Sequence, residues 1–152
     1  VIREYQAADC VDVLNVWARA SAVAHPFLPS EFLDRERQRI PTAYLPLAKT
    51  WVWEAERHVV GFLSLIGHEV GALFVDPASH RSGIGRALID RACDLRGDIE
   101  VKVFAKNQLA RSFYAKVGFV LVDQAVHGET GFDLMRLRLA ANNRLTFAAI
   151  GL

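Results

Sequence analysis

The sequence predicts an α+β fold: one domain with a central mixed, mostly antiparallel β-sheet flanked by about four helices. Three observations carry that expectation. Three strand-like runs, 49–54, 58–66 and 69–75, follow one another with only turn residues between them, as in a meander. The periodic segments fall in the order β-α-α-β-β-β-α-β-α-β-β. The chain has 152 residues, 52% apolar and 23% charged, which suits one domain with a real core.

Val1–Tyr5 alternates weakly and reads as a first strand. Asp9 is placed to cap a helix running to about Ala22, with Val13, Leu14, Trp17 and Ala20 on one side. His25-Pro26-Phe27-Leu28-Pro29 ends it, since two prolines forbid a continued helix. Ser30 offers a second cap for a short charged helix, Glu31–Ile40, and Pro41 and Pro46 punctuate the loop after it. The meander turns at Glu56-Arg57 and at Gly67-His68. After it, Ile84, Ala87, Leu88, Ala92 and Leu95 mark an amphipathic helix, and Ile99–Phe104 is the next strand. Asn107 begins a helix with Ala110, Phe113, Tyr114 and Val117 on one face, ended by Gly118. Phe119–Val126 and Phe132–Leu139 are the last two strands, joined by a turn at Gly128–Gly131. Residues 140–152 form a C-terminal tail of uncertain structure.

The net charge of +1 gives no case for bulk attraction to nucleic acid or to a membrane surface. No apolar run reaches the length of a membrane span. Two cysteines, Cys10 and Cys93, are too few for a disulfide framework and have no metal-ligand spacing, so no metal is expected. A cytoplasmic location is the expectation.

The chemistry concentrates at Ala72–Ile89, which reads as strand, basic glycine loop, helix. Asp76-Pro77 ends the strand, and His80-Arg81-Ser82-Gly83-Ile84-Gly85 leads into the helix. The first turn of a helix presents N–H groups with no partner inside the helix, and the helix dipole adds positive potential there. Glycines let a ligand approach the backbone, and Arg81 and Arg86 add charge. This pattern suits phosphate or pyrophosphate. A plain glycine turn with two solvated arginines is the other reading. A Walker loop is excluded, because Gly85 is followed by Arg86-Ala87 instead of Lys-Ser/Thr. A dinucleotide fingerprint fails at its third glycine, where Leu88 stands.

The stretch resembles motif A of the GNAT superfamily of N-acetyltransferases, Gln/Arg-x-x-Gly-x-Gly/Ala, with one departure: His80 fills the first position. A second segment, Asn107-Gln108-Leu109-Ala110-Arg111-Ser112-Phe113-Tyr114-Ala115-Lys116-Val117-Gly118-Phe119, is similar to the family's Asn-x-x-Ala-x-x-Phe-Tyr-x-Lys-x-Gly-Phe. The resemblance covers about residues 1–139 and is of the small stand-alone bacterial type.

The resemblance implies an acetyl-CoA-dependent enzyme that moves an acetyl group to a primary amine, of a small molecule or of a protein, by direct transfer. It implies that Leu73, Phe74 and Val75 pair with the pantetheine arm and supply a backbone oxyanion donor at a bulge. His80, Arg81, Ser82, Gly83, Ile84, Gly85 and Arg86 would hold the pyrophosphate, with Asn107 and Lys116 as further cofactor contacts. Tyr114 matches the general acid, which keeps its proton at neutral pH and can give it to a departing thiolate. For the base, Glu69 is the carboxylate candidate, with His68 and His25 behind it. His25, Phe27 and Leu28 would face the acceptor, opposite the hairpin turn 127–132, with Phe27, Leu28 and Phe32 as an apolar wall or, in the other reading, as core plugs. A covalent cysteine route needs an exposed, activated thiol, and neither cysteine has an adjacent base in sequence. The expected partner is an amine acceptor, with a homodimer left open. Two alternatives stand beside this reading: a non-catalytic CoA-binding sensor or regulatory module, and a protein whose loop holds ATP or a dinucleotide.

Overall fold

The meander is present with the predicted turns. Glu56 and Arg57 both have positive φ, 52° and 67°, between the paired residues Ala55 and His58. That is the two-residue turn whose twist matches a hairpin. The computed structural model describes residues 1–143. Seven strands form one sheet: β1 Ile2–Glu4, β2 Lys49–Ala55, β3 His58–Ile66, β4 Glu69–Val75, β5 Ile99–Phe104, β6 Val120–Val126 and β7 Asp133–Leu139. Their spatial order is β1-β2-β3-β4-β5-β7-β6. Only β4 and β5 run parallel; the other neighbours are antiparallel.

Four main helices cover the sheet: α1 Cys10–Ala24, α2 Ser30–Arg39, α3 Ile84–Arg96 and α4 Gln108–Val117. Strand alternation separates two cores. Val52, Phe62, Ala72 and Phe74 meet Val13, Val16 and Trp17 of α1 on one face. Leu63, Leu65, Val70, Leu73 and Val75 meet Ile84, Leu88, Ile89, Tyr114 and Val117 of α3 and α4 on the other.

Several local expectations are corrected. Asp9 does not cap α1 through its side chain. Its carboxylate instead accepts from the Gln6 N–H at 2.8 Å and from both terminal nitrogens of Arg3 at 2.8 Å, which closes a short turn before the helix. Ser30 is the first residue of α2, and Pro29 is the cap. Pro41 does not end the second helix. Ile40–Tyr44 continues it as a wider π turn in which the Leu45 N–H reaches the Ile40 carbonyl, and Leu45–Leu47 adds a last turn. A π turn tolerates the N–H that proline lacks, and the Thr42 hydroxyl donates to the Gln38 carbonyl at 2.8 Å. In α3 the buried face is rotated: Ile89 and Cys93 are buried, while Leu95 is 40% exposed. The tail is described only to Asn143, in a short turn Ala141–Asn143; the rest of it lies outside the described residues.

Candidate active site

The site begins where β4 and β5 separate. The two strands pair only at Glu69 with Glu100 and at Val70 with Val101. Beyond that, β4 stays in register with β3, Leu63 opposite Leu73 and Gly61 opposite Val75, while β5 stays with β7. The sheet therefore opens into a wedge between residues 71–75 and 102–104. The Asp76 N–H bonds the Val60 carbonyl at 2.8 Å, so it points to β3. Successive residues turn their backbone groups to alternate edges, which directs those of Leu73 and Val75 into the opening. A β-bulge does occur on β4, but at Gly71, the unpaired residue between Val70 opposite Leu65 and Ala72 opposite Ser64. It lies upstream of the Leu73–Val75 position that the family resemblance implies.

At the end of β4 the chain turns into the glycine loop. Asp76 accepts from the Ala78 N–H at 3.1 Å and is bound by Arg19 of α1 at 2.6 Å, which ties the loop to the helix on the other face. His80 does not reach outward: its Nε2 donates to the Val75 carbonyl at 2.9 Å. The Ser82 hydroxyl donates to the Ser79 carbonyl. Arg81 and Gly83 both take the left-handed conformation, φ 63° and 85°. Gly83 is the N-cap of α3 and brings no side chain to its first turn. No side chain caps the first N–H groups of α3, which start beside an exposed Arg81, a backbone arrangement that suits an anion. Ile84 anchors the turn in the core at 5% exposure. Gly85 has a packing role too, since a Cβ there would lie 3.1 Å from the Phe113 ring of α4. Arg86 is buried and pairs with Asp90 at 3.5 Å, so its guanidinium runs along α3 instead of adding charge at the loop.

Tyr114 is buried in the core that Leu73 and Val75 also line, with its ring edge-on to Phe113 at 5.3 Å and Phe119 at 5.0 Å. Burial pushes its phenol above the ordinary value near 10, so it stays protonated. Asn107 is buried, caps α4 by accepting the Ala110 N–H at 3.1 Å, and reaches His25 at 3.3 Å. Lys116 is exposed in the last turn of α4, where a cation suits the helix dipole. A groove of about 340 Å³ runs along the outer side of α4 between Arg111, Ala115, Leu121 and Met135; none of the predicted site residues line it.

The other face of the wedge is an aromatic wall. The His25 ring stands edge-on to Phe27 at 5.9 Å, to Phe74 of β4 at 6.3 Å and to Phe104 of β5 at 5.6 Å. Phe27 continues the wall to Phe132 at 5.2 Å, and Phe32 meets His127 at 5.6 Å. Leu28 is buried beside it at 7% exposure. Burial lowers the His25 pKa to about 4, so the ring is neutral at pH 7. Glu69 lies apart from this cluster. It opens β4 at the paired end, half exposed and 3.9 Å from Lys102. His68 is turned to the Asp98 carbonyl at 3.2 Å.

Phe104 and Phe132 are wall residues that the sequence reading did not single out. The available signal for Phe104 was its place at the open end of a strand whose alternation points Val101 and Val103 to the other face.

Residues 46–121 match the acetyltransferase (GNAT) domain. The chain is 34% identical to the peptidyl-lysine N-acetyltransferase YiaC of Escherichia coli over 131 residues, covering 86% of this chain and 90% of that protein. The chain belongs to the GNAT acetyltransferase family. It is also 31% identical to peptidyl-lysine N-acetyltransferase YjaB of E. coli over 140 residues, 91% of this chain and 95% of that one. The solution structure of apo YjaB superposes with a TM-score of 0.82 at 30% identity, covering 91% of this chain and 95% of that one. The fold is shared with yncA of Salmonella typhimurium in its acetyl-CoA complex, at a TM-score of 0.64 and 19% identity, over 96% of each chain. As a GNAT acetyltransferase, the chain takes acetyl-CoA as donor and transfers its acetyl group to an amine. Among the described residues, no helix is long and apolar enough to cross a membrane.

Proposed function

We propose that this GNAT enzyme acetylates lysine side chains of proteins, with the donor entering the wedge from the α3–α4 face and the acceptor from the α1 face. The observation that carries this reading is the wedge itself. It joins a backbone cradle and a buried phenol on one side to an aromatic wall on the other. A wall of Phe27, Phe104 and Phe132 suits the apolar stem of lysine, which buries its methylenes while the nitrogen reaches on. The relatives named as peptidyl-lysine N-acetyltransferases support the same acceptor.

The cradle at Gly83–Arg86 holds the pyrophosphate, and the opened edge of Leu73 and Val75 takes the pantetheine arm as a strand would. The lysine nitrogen, deprotonated, attacks the thioester carbon. A C–N bond forms, and the carbonyl oxygen gains charge that a β4 N–H stabilises. The C–S bond then breaks, and Tyr114 gives its proton to the leaving sulfur. The raised pKa makes Tyr114 a reluctant acid against a solvated thiolate, while the low dielectric around it strengthens its hydrogen bond to sulfur that develops charge in a dry site. The proton lost by the amine returns the phenol to its starting state through solvent. Glu69 serves as base only by way of water, because it lies four residues before Leu73, roughly 13 Å along the strand. Cys93 is buried at 4% exposure, which favours direct transfer over an acetyl-cysteine.

The test is an acceptor panel with acetyl-CoA, read by free thiol and by product mass. Lysine peptides should outrun polyamines, free amino acids and N-terminal amines in kcat/KM. A small-molecule amine that beats every lysine peptide by more than tenfold would replace the protein acceptor.

A further inference from the structure

Asn107 fixes the state of His25. Its Oδ1 is committed to the Ala110 N–H as the cap of α4, so Nδ2 is the end that faces His25 Nε2 at 3.3 Å. An amide NH₂ only donates, so Nε2 must accept, and the proton of the neutral ring sits on Nδ1. The same ring lies on the α1 side of the wedge, edge-on to Phe74 on one opened strand and to Phe104 on the other. His25 is the residue that follows α1, at the start of the loop carrying Phe27 and Leu28. One side chain thus touches both strand ends and the start of the helix that carries Tyr114.

We propose that His25 is a positioning residue: by accepting from Asn107 while wedged between Phe74 and Phe104, it fixes the acceptor loop against the start of α4 and sets where the acceptor amine meets the thioester. This rests on the acetyl-transfer reading of the wedge. It separates His25 from the base, because the lone pair a base needs is already engaged. Asn107 keeps a second amide hydrogen for the pantetheine arm. Through that amide, the acceptor loop and the donor site are one hydrogen-bond apart.

The experiment compares His25→Gln with His25→Phe in the full chain. Gln places an acceptor oxygen near the Nε2 position. Phe keeps a ring for the edge contacts but accepts nothing. For a lysine peptide, His25→Phe should raise KM about tenfold with kcat within threefold. His25→Gln should stay within threefold of the parent in both. The pH profile of kcat should keep its limbs in both variants. A His25→Phe enzyme with the parent's KM overturns the proposal, as does loss in both variants of the limb on the acid side of the profile, which would make His25 the base. A second readout needs no acceptor: ¹⁵N NMR of the imidazole at pH 7 should show Nδ1 protonated and Nε2 bare. The opposite tautomer, or a doubly protonated ring, overturns the proposal even in an active enzyme. If the parent acetylates no amine while the tautomer is as stated, the acetyl-transfer reading fails and the His25–Asn107 link stands.

Discussion

The glycine loop at 80–86 and the aromatic wall around His25 serve the same wedge, but they are built in opposite ways. The loop is seven consecutive residues that present backbone. Two of its polar side chains are turned aside, His80 to the Val75 carbonyl and Arg86 to Asp90, and Arg81 stays exposed beside the backbone. The wall is made of side chains from the loop after α1, from α2, β4, β5 and the β6–β7 turn. A backbone cradle depends on φ and on an uncapped helix start, so many side chains are compatible with it. A side-chain wall depends on each ring and can change acceptor with one substitution. The donor is common to the family, whereas acceptors differ, and the two constructions suit that division.

The largest expected effect lies between the two regions, at Tyr114. Tyr114→Phe keeps the ring against Phe113 and Phe119 but removes the donor. Single-turnover acetylation should fall about 10²–10⁴-fold, while acetyl-CoA affinity changes less than threefold. A mutant that matches the parent's single-turnover rate makes Tyr114 a packing residue, and the wedge then lacks its acid.

The next effect separates wall from loop by pH. The wall contains a titrating ring that folding holds neutral. His25 has a folded pKa of about 4 against an unfolded value of 6.5. Between these values the unfolded chain binds more protons, so stability rises with pH across that window and the contribution is lost as pH falls from about 6.5 to 4. The full difference is on the order of 3–4 kcal/mol as an upper figure, less for a ring that is not fully enclosed. His25→Phe should flatten the slope of unfolding free energy between pH 6.5 and 4, measured by urea titration. The carboxylate of Asp9, held below its usual range by the Arg3 guanidinium, acts at lower pH: its stabilisation is full above 3.8 and fades below that. An unchanged slope between pH 4 and 6.5 in His25→Phe would show that the ring is not buried as neutral.

The loop answers to backbone changes. At Gly83, φ is 85°, a conformation that costs any L residue. Gly83→Val should weaken acetyl-CoA binding at least tenfold, about 1.4 kcal/mol, and lower the melting temperature by several degrees through the strained backbone. Gly85→Ala tests the second glycine. Its Cβ would press on the Phe113 ring at 3.1 Å, so a small loss of stability is expected with CoA affinity within threefold. If calorimetry gives the two variants the same affinity loss, both glycines serve the ligand directly.

The same contrast explains what the sequence could disclose. The loop was legible because its chemistry is local: a strand end, a proline, two glycines and a helix face lie within Ala72–Ile89. Asn107 as cap and Gly118 as left-handed stop were legible for the same reason. The wall was legible at His25, Phe27, Leu28 and Phe32, which lie close together after the first helix. Phe74, Phe104 and Phe132 are brought together by the separation of β4 from β5, a tertiary event that no local pattern encodes. The bulge escaped because it is set by cross-strand register at Gly71. The helix through Pro41 escaped because a π turn is a rare answer to a missing N–H. Arg86 read as loop charge because its partner, Asp90, lies one helical turn on and competes for it.

The smallest expected effect is at the rim of the wall. Glu129 in the β6–β7 turn pairs with Arg39 at 3.2 Å and Arg35 at 3.7 Å, joining that turn to α2 across the acceptor side. Glu36 holds Arg39 from the other side at 2.9 Å and accepts from the Tyr44 hydroxyl, so the arginine is kept near the turn. The side chains in the Glu129 pairs are 39–49% exposed, and exposed pairs are each worth about 0–1 kcal/mol. Glu129→Gln removes the charge and keeps the shape. It should change KM for a lysine peptide by no more than about fivefold, the equivalent of 1 kcal/mol, and leave acetyl-CoA affinity unchanged. The effect should shrink in 0.5 M NaCl, because the parent's pairs are then screened over roughly 4 Å. The sign of the change is informative. A lower KM means that the pairs hold the turn closed against the acceptor; a higher KM means that they hold Phe132 in place for it. A change in acetyl-CoA affinity equal to that in KM would show that the turn acts on both sides of the wedge, and the division between a donor-binding backbone and an acceptor-binding wall would fail at that point.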